Sequence, residues 1–176
     1  MAKALGTGEF DAIVRRHQSM VFSVAYHLLH DRALAEEVAQ DVFLQLYRQL
    51  SELQSDEHVL FWLRRVAVHR AIDCARSRNT RPEVALEDGV EDVPDTAFAL
   101  DAGDPFLSRR LQQLVASLPE KARAVVVLRY QEDMGPEEIA RVLAMPAATV
   151  KSHLQRALAM LREKMSRAVV LRNRGK

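Results

Sequence analysis

Lys151, Ser152, Gln155 and Arg156 follow one another at steps of one, three and one. On a helix that spacing gathers them on one face. A guanidinium or ammonium can bond a guanine edge or a phosphate, and an amide can pair with adenine. These are side chains suited to reading a DNA duplex, provided the chain builds an element that can deliver them. The stretch that holds them, "EEIARVLAMPAATVKSHLQRAL" (residues 137–158), reads as two short helices broken at Ala144-Met145-Pro146. A tight turn between two crossing helices is the helix-turn-helix arrangement. In that arrangement the N-terminal half of the second helix enters the major groove while the first braces it. Ala140 is small where the helices would cross, and Val150 would pack back onto the first helix. A plain helical hairpin with a wet polar face has the same pattern and stays open as the alternative.

No comparable constellation for catalysis is present. The sequence has no Gly-rich phosphate loop, no His-Glu-x-x-His and no nucleophile set beside a base. His27 and His30 stand three apart without the carboxylate or thiolate partners of a metal site. Cys74 is the single cysteine, which excludes an intramolecular disulfide and a Cys-rich zinc site and suits a reduced, cytoplasmic setting. Asp73, Arg76 and Arg78 surround it in sequence, and the arginines could depress its pKa; the plainer reading is a small, half-buried helix residue. No apolar run approaches the ~20 residues of a membrane span, and "MAKALGTGEF" lacks the apolar core of a signal peptide. The expectation is a cytoplasmic binding protein without enzymatic activity, metal or cofactor.

Charge sharpens that expectation. The net charge is only +1, yet residues 83–107 hold eight acids and no Lys or Arg, while residues 108–176 hold fourteen basic and six acidic side chains. Residues 1–82 are nearly balanced, with eleven basic and ten acidic. A basic C-terminal part suits a nucleic-acid partner, although a solvated basic surface would look the same. Residues 83–106 carry Gly89, Pro94, Gly103 and Pro105 among the acids and show no sustained period, so they read as a linker. The chain is therefore expected to be all-α, with two small helical domains at 1–82 and 107–176 joined by an acidic linker.

The elements that must position the site follow from helical periodicity. Phe10, Ile13, Val14, Val21, Val24, Ala25 and Leu28 form a first stripe. Asp31 is a candidate N-cap for a helix over roughly 32–49, which buries Leu34, Val38, Val42 and Leu46 and is widened by Phe43 and Tyr47. "SELQSDEH" breaks the pattern, and a third helix runs from about Val59 to Arg78 over Phe61, Trp62, Val66, Ile72 and Ala75. Leu107, Leu111, Leu114 and Leu118 open the second domain. Pro119 and Gly135-Pro136 each mark a helix start followed by acids at its positive end. Val150, Leu154, Leu158 and Leu161 give the last helix one buried stripe.

Taken together, "LPEKARAVVVLRY" through "EEIARVLAMPAATVKSHLQRA", preceded by "ALAEEVAQDVFLQLYRQL" and "FWLRRVAVHRAID", resembles the extracytoplasmic-function class of bacterial RNA polymerase sigma factors. The family's text is close to Leu-Pro-x-x-x-Arg-x-Val, Glu-Glu-Ile-Ala and Pro-x-Gly-Thr-Val-Lys-Ser in the second half. In the first half it is close to Ala-Glu-Asp-x-x-Gln-Glu-x-Phe and Trp-Leu-x-Arg-Ile-Ala-x-Asn. The resemblance implies a promoter-recognition subunit whose partners are core RNA polymerase, promoter DNA and an anti-sigma factor. It assigns −35 recognition to Thr149, Lys151, Ser152, Gln155 and Arg156. It matches Glu36, Glu37, Gln40 and Asp41 to the surface that docks on the β′ clamp helices. The helix from Trp62 to Arg78 matches the segment that captures and opens the −10 element, where Arg64, Arg65, His69, Arg70, Arg76 and Arg78 are the candidates. Trp62 reads as core rather than as a base-stacking platform. The loop Gln54–His58 matches one that receives a flipped −10 base, and the linker matches a segment that threads toward the polymerase active site; a bland loop and a plain tether are the alternatives.

Three departures stand out. Ala144 and Ala148 replace glycines usual in the family, and His69 replaces an Asn. If Ala144 keeps φ > 0 it costs on the order of 1 kcal/mol, whereas Ala148 at a helical start would be favourable. An unrelated helix-turn-helix activator or repressor would need neither the Glu36–Asp41 surface nor the Trp62 helix, and a sigma mimic that sequesters an anti-sigma factor would not need the basic face.

Overall fold

The computed structural model describes residues 7–80 and 105–173, with side chains over 8–78 and 109–167. Seven α-helices and one 3₁₀ turn make up these residues, and no strand occurs among them. The chain divides into two compact units between Gly103 and Asp104. Residues 83–104 of the stretch read as a linker lie outside the described residues.

The first unit packs α1 (Thr7–Leu29), α2 (Arg32–Gln49) and α3 (Asp56–Thr80) around one core. Val21, Val24, Ala25 and Leu28 meet Ala35, Val38, Val42 and Leu46 from α2 and Leu63, Ala67, Val68 and Ala71 from α3. Asp31 caps α2 as expected, accepting from the Leu34 N–H at 3.1 Å. The 3₁₀ turn Leu50–Glu52 buries Leu50 and leads to α3. That helix starts three residues earlier than its apolar period suggested, because Ser55 Oγ accepts from the His58 N–H at 3.1 Å and closes the first turn. Asp56, Glu57 and His58 are thus helical, and only Gln54 and Ser55 of the expected −10 loop stay outside a helix. Arg16 of α1 pairs with Asp56 at 3.1 Å and ties that turn down.

The core of α3 corrects the expected one. Phe61, Trp62, Val66 and Ala75 are only half-buried, while Val59, Leu63, Ala67, Val68, Ala71 and Ile72 are buried. The helix packs against both α1 and α2, and the small residues let it approach both. The large aromatics lie at the margin, where Trp62 Nε1 donates to Gln49 Oε1 at 3.1 Å. On α2, Leu34 is half-buried and Ala35 takes the core position, while Tyr47 is exposed rather than part of the stripe.

The second unit contains α4 (Pro105–Ala116), α5 (Glu120–Tyr130), α6 (Pro136–Leu143) and α7 (Ala147–Asn173). Helix α4 begins inside the stretch read as linker; the Leu107 side chain is outside the described residues. Leu114, Val115, Leu118, Ala122 and Val126 pack with Ala157 and Leu161 of α7. Leu111 and Leu154 pack against this cluster half-buried, and Leu158 is likewise half-buried. Ala157, fully buried in the same cluster as Ala122 and Val126 of α5, carries the burial expected of those leucines. Pro119 is the N-cap of α5 rather than its first helical residue. The Arg123 guanidinium, half-buried, donates to the carbonyls of Ala116 and Leu118 and so satisfies the end of α4. Arg129 donates to the Met134 carbonyl at 3.0 Å and fixes the turn into α6.

Candidate promoter and polymerase interfaces

Helix α6 starts at Gly135-Pro136, with the Glu138 carboxylate accepting from the Gly135 N–H at 2.8 Å. It ends at Ala144, whose φ of 50° and ψ of 48° are left-handed. The N–H groups of Ala144 and Met145 both reach the Ala140 carbonyl, the latter at 3.0 Å. That closes the helix in the manner of a Schellman cap and sends the chain sharply into α7. Thr149 and Val150 then donate to the Pro146 carbonyl at 2.9 and 3.1 Å, beginning the new helix at once. Ala148 stands in its first turn with ordinary helical backbone, where alanine is favourable.

Val150 and Ala157 are fully buried and fix the rotation of α7. Lys151, Gln155 and Arg156 are consequently exposed, Ser152 is half-buried among them, and Thr149 is half-buried at the edge of the same face. Ala148, Ser152, Gln155 and Ala159 recur at steps of four, three and four, so they run down the middle of the face. Lys151 and Arg156 flank that neutral centre on opposite sides. Lys151 Nζ lies 3.3 Å from Glu137 Oε1, a contact that sequence spacing alone did not suggest. The Glu137 carboxyl is held below its ordinary pKa, first by a hydrogen bond to its own backbone and then by Lys151.

On α3, Trp62, Arg65, His69 and Arg76 recur at steps of three, four and seven and share the outer face. Arg65 and Arg76 are exposed there, and Trp62 and His69 are half-buried. The other three candidates point elsewhere. Arg70 donates to Gln45 Oε1 of α2 at 3.3 Å. Arg78 pairs with Asp31 at 3.2 Å. Arg64 is half-buried and close enough to His17 of α1 to help lower that imidazole's pKa, behind the larger effect of burial and that of Arg16. Cys74 is half-buried, and its pKa is raised rather than depressed. Burial is the main cause, and the Glu37 and Asp31 carboxylates outweigh Arg78.

On α2, Glu36, Glu37, Gln40 and Asp41 are all exposed on the side opposite Ala35, Val38 and Val42. Arg32 pairs with Glu36 at 3.0 Å. Leu44 and Tyr47 extend the same face and are 59% and 65% exposed, unusual for side chains of their size. Beside them a groove of about 670 Å³ runs between α1 and α2, lined by Phe10, Val14, Phe22, Ala39, Phe43 and Leu44 among others. Phe10 and Val14, expected in the core, instead line this groove. Tyr47 was hidden in the sequence because it lies one position from Leu46 of the α2 stripe, whereas Leu44 lies two positions from Val42 and Leu46, on the far side of the helix. Among the described residues no cluster of His, Cys, Asp and Glu could hold a metal, and no helix is long and apolar enough to cross a membrane.

Comparison with known proteins places both units. Residues 13–81 match the family model for sigma-70 region 2, and residues 108–172 match that for sigma-70 region 4. The RNA polymerase sigma-H factor of Pseudomonas aeruginosa is 30% identical over 161 residues, covering 84% of this chain and 81% of that protein. The ECF RNA polymerase sigma factor SigW of Bacillus subtilis is 30% identical over 177 residues, covering 93% and 94%. Among solved structures, the sigma factor RpoE of Bartonella quintana, crystallised with the anti-sigma factor NepR, superposes with a TM-score of 0.69 at 17% identity over 91% of this chain and 98% of that one. CnrH, in complex with the cytosolic domain of CnrY, gives 0.67 at 19% identity over 93% and 91%.

Proposed function

The chain belongs to the extracytoplasmic-function class of bacterial RNA polymerase sigma factors, and from that premise we propose which of its surfaces performs each step of initiation. As a sigma factor it binds core RNA polymerase and directs promoter-specific initiation. It is a regulatory subunit, and bond formation between nucleotides belongs to the polymerase.

The C-terminal unit reads the −35 element through α7. Ser152 and Gln155 reach base edges from the middle of the face, Arg156 bonds a guanine edge or a phosphate, and Lys151 and Thr149 complete the set. The outer face of α3 takes the −10 element: Arg65 and Arg76 hold phosphates of the opened strand, while His69 and Trp62 meet its bases. Arg64, Arg70 and Arg78 contribute charge and hold the helix in place. The acidic face of α2, Glu36, Glu37, Gln40 and Asp41, docks on basic groups of the β′ clamp helices, with Leu44 and Tyr47 supplying apolar contact. An anti-sigma factor is a further partner, in line with the complex of RpoE with the anti-sigma factor NepR, and the site of action is the cytoplasm. The acidic linker joins two functional domains, residues 1–82 and 107–176.

The observation that carries this reading is the exposed, cation-flanked face of α7, set by the left-handed turn at Ala144 in a chain that also matches region 2. Its test is promoter selection by holoenzyme carrying Gln155→Ala or Arg156→Ala. Changed base preference confined to the −35 element supports the placement, and wild-type preference in both variants removes it.

A further inference from the structure

We propose that Glu137 is a specificity-determining residue of the −35 interface, which restrains Lys151 from indiscriminate contact with phosphate. The proposal rests on the reading of α7 as the DNA-facing helix. The Glu137 carboxylate lies 3.3 Å from Lys151 Nζ, across the turn that joins α6 to α7. The two side chains are 71% and 57% exposed, so the pair is open to competition from a stronger anion. Its neighbour Glu138 is occupied with the Gly135 N–H; Glu137 is the first-turn acid that turns toward α7. Both its backbone hydrogen bond and Lys151 favour the charged form, so the carboxylate stays ionised at neutral pH.

In a helix-turn-helix the first helix crosses the DNA backbone. A carboxylate in the first turn of α6 then lies beside the approaching phosphates. It acts on them twice: it occupies Lys151, and it repels the oxygens that Lys151 would otherwise meet. On random sequence Lys151 gains nothing beyond the partner it already has. On the correct −35 element the contacts of Ser152, Gln155 and Arg156 seat the helix and offset the loss of the pair. Glu137 therefore weakens non-specific binding more than specific binding, which raises discrimination without adding a base contact.

Holoenzyme assembled from core polymerase and the full chain tests this by titrating a duplex bearing the −35 element and one with that element scrambled, from 50 to 200 mM salt. Glu137→Gln is expected to tighten binding to the scrambled duplex by roughly threefold, the scale of an exposed ion pair, and to tighten the −35 duplex less. Freeing one cation for phosphate steepens the dependence of log K on log salt by about 0.9. Adding Lys151→Ala to Glu137→Gln should return the slope to that of the Lys151→Ala single variant. An unchanged slope and unchanged discrimination in Glu137→Gln, at wild-type melting temperature, overturn the proposal, as does a steeper slope that survives loss of Lys151. Glu137→Ala provides the same readouts if the glutamine variant folds poorly. Wild-type preference for the −35 duplex checks the underlying reading separately: its absence sinks both, whereas its presence with an unmoved slope sinks only the role of Glu137.

Discussion

Replacing Ala144 with glycine is expected to stabilise the C-terminal unit. The backbone there has φ 50° and ψ 48°, where an L side chain crowds the following carbonyl at a cost of about 1–2 kcal/mol. Glycine removes that cost but enlarges the unfolded ensemble by about 0.4–1 kcal/mol. The Ala144 methyl is exposed, so its removal leaves no cavity and uncovers no core. The balance is a gain of about 0.5–1 kcal/mol, which for a unit of this size raises Tm by roughly 2–8 °C. Thermal unfolding of the full chain, followed by far-UV circular dichroism and calorimetry, reads the shift. Ala144→Val is the opposing control, because a β-branched residue fits the left-handed region worst and should lower the same transition by several degrees. A fall in Tm for Ala144→Gly would refute the reasoning, since it would mean that the methyl group contributes more than the backbone strain removes.

Other consequences can be checked alongside it. Arg156→Ala should weaken −35 recognition by about 1–3 kcal/mol and relax preference at one base pair if its contact is bidentate, as read by competition binding against a −35 library. His69→Asn should change base preference in a −10 library, because an amide presents its donor and acceptor side by side where imidazole carries them on opposite sides of a ring; identical preferences would remove His69 from the reading site. Arg123→Ala should destabilise the C-terminal unit by about 1.5–3 kcal/mol, since the Ala116 and Leu118 carbonyls lose a charged donor, and a melting curve matching wild type would contradict this. Cys74 should alkylate more slowly at pH 8 than an ordinary cysteine, and faster once the chain is unfolded in urea, because burial and two nearby carboxylates raise its pKa and keep the thiolate scarce.

The helices were legible because their signals are local. Asp31, Gly135-Pro136 and the break before Pro146 each act within one turn, and each marks the boundary the fold uses. Left-handed backbone at Ala144 was a conditional expectation, drawn from the glycine usual at that position in the family rather than from a local signal, and the residue adopts φ 50°. What periodicity missed depends on which neighbours a helix meets. Helix α3 packs against two partners, so its small residues Ala67 and Ala71 are buried more deeply than Phe61 or Trp62. Tyr47 sits one helical step from the α2 stripe and turns outward. The candidate residues of α7 share a face by their spacing and point to solvent because Val150 and Ala157 are buried, and only Val150 of those two is conspicuous in sequence. The Lys151–Glu137 pair and the Arg123 contacts join different elements across a turn, so the periodicity of one helix does not reveal them. Of the −10 candidates, Arg70 and Arg78 lie beside Gln45 and Asp31, which their place in the sequence does not show.

The central claim is that one chain brings core polymerase to a promoter through two separately placed DNA-reading surfaces. The most direct measurement is in vitro transcription with purified core polymerase on a genomic promoter library, with start-site mapping, comparing wild type with Arg156→Ala and His69→Asn. Specific starts that depend on the added chain are expected, with a shared −35 and −10 pair upstream of them and variants that alter preference in the −35 and −10 elements respectively. Absence of any chain-dependent start, with no co-purification with core polymerase, would contradict it.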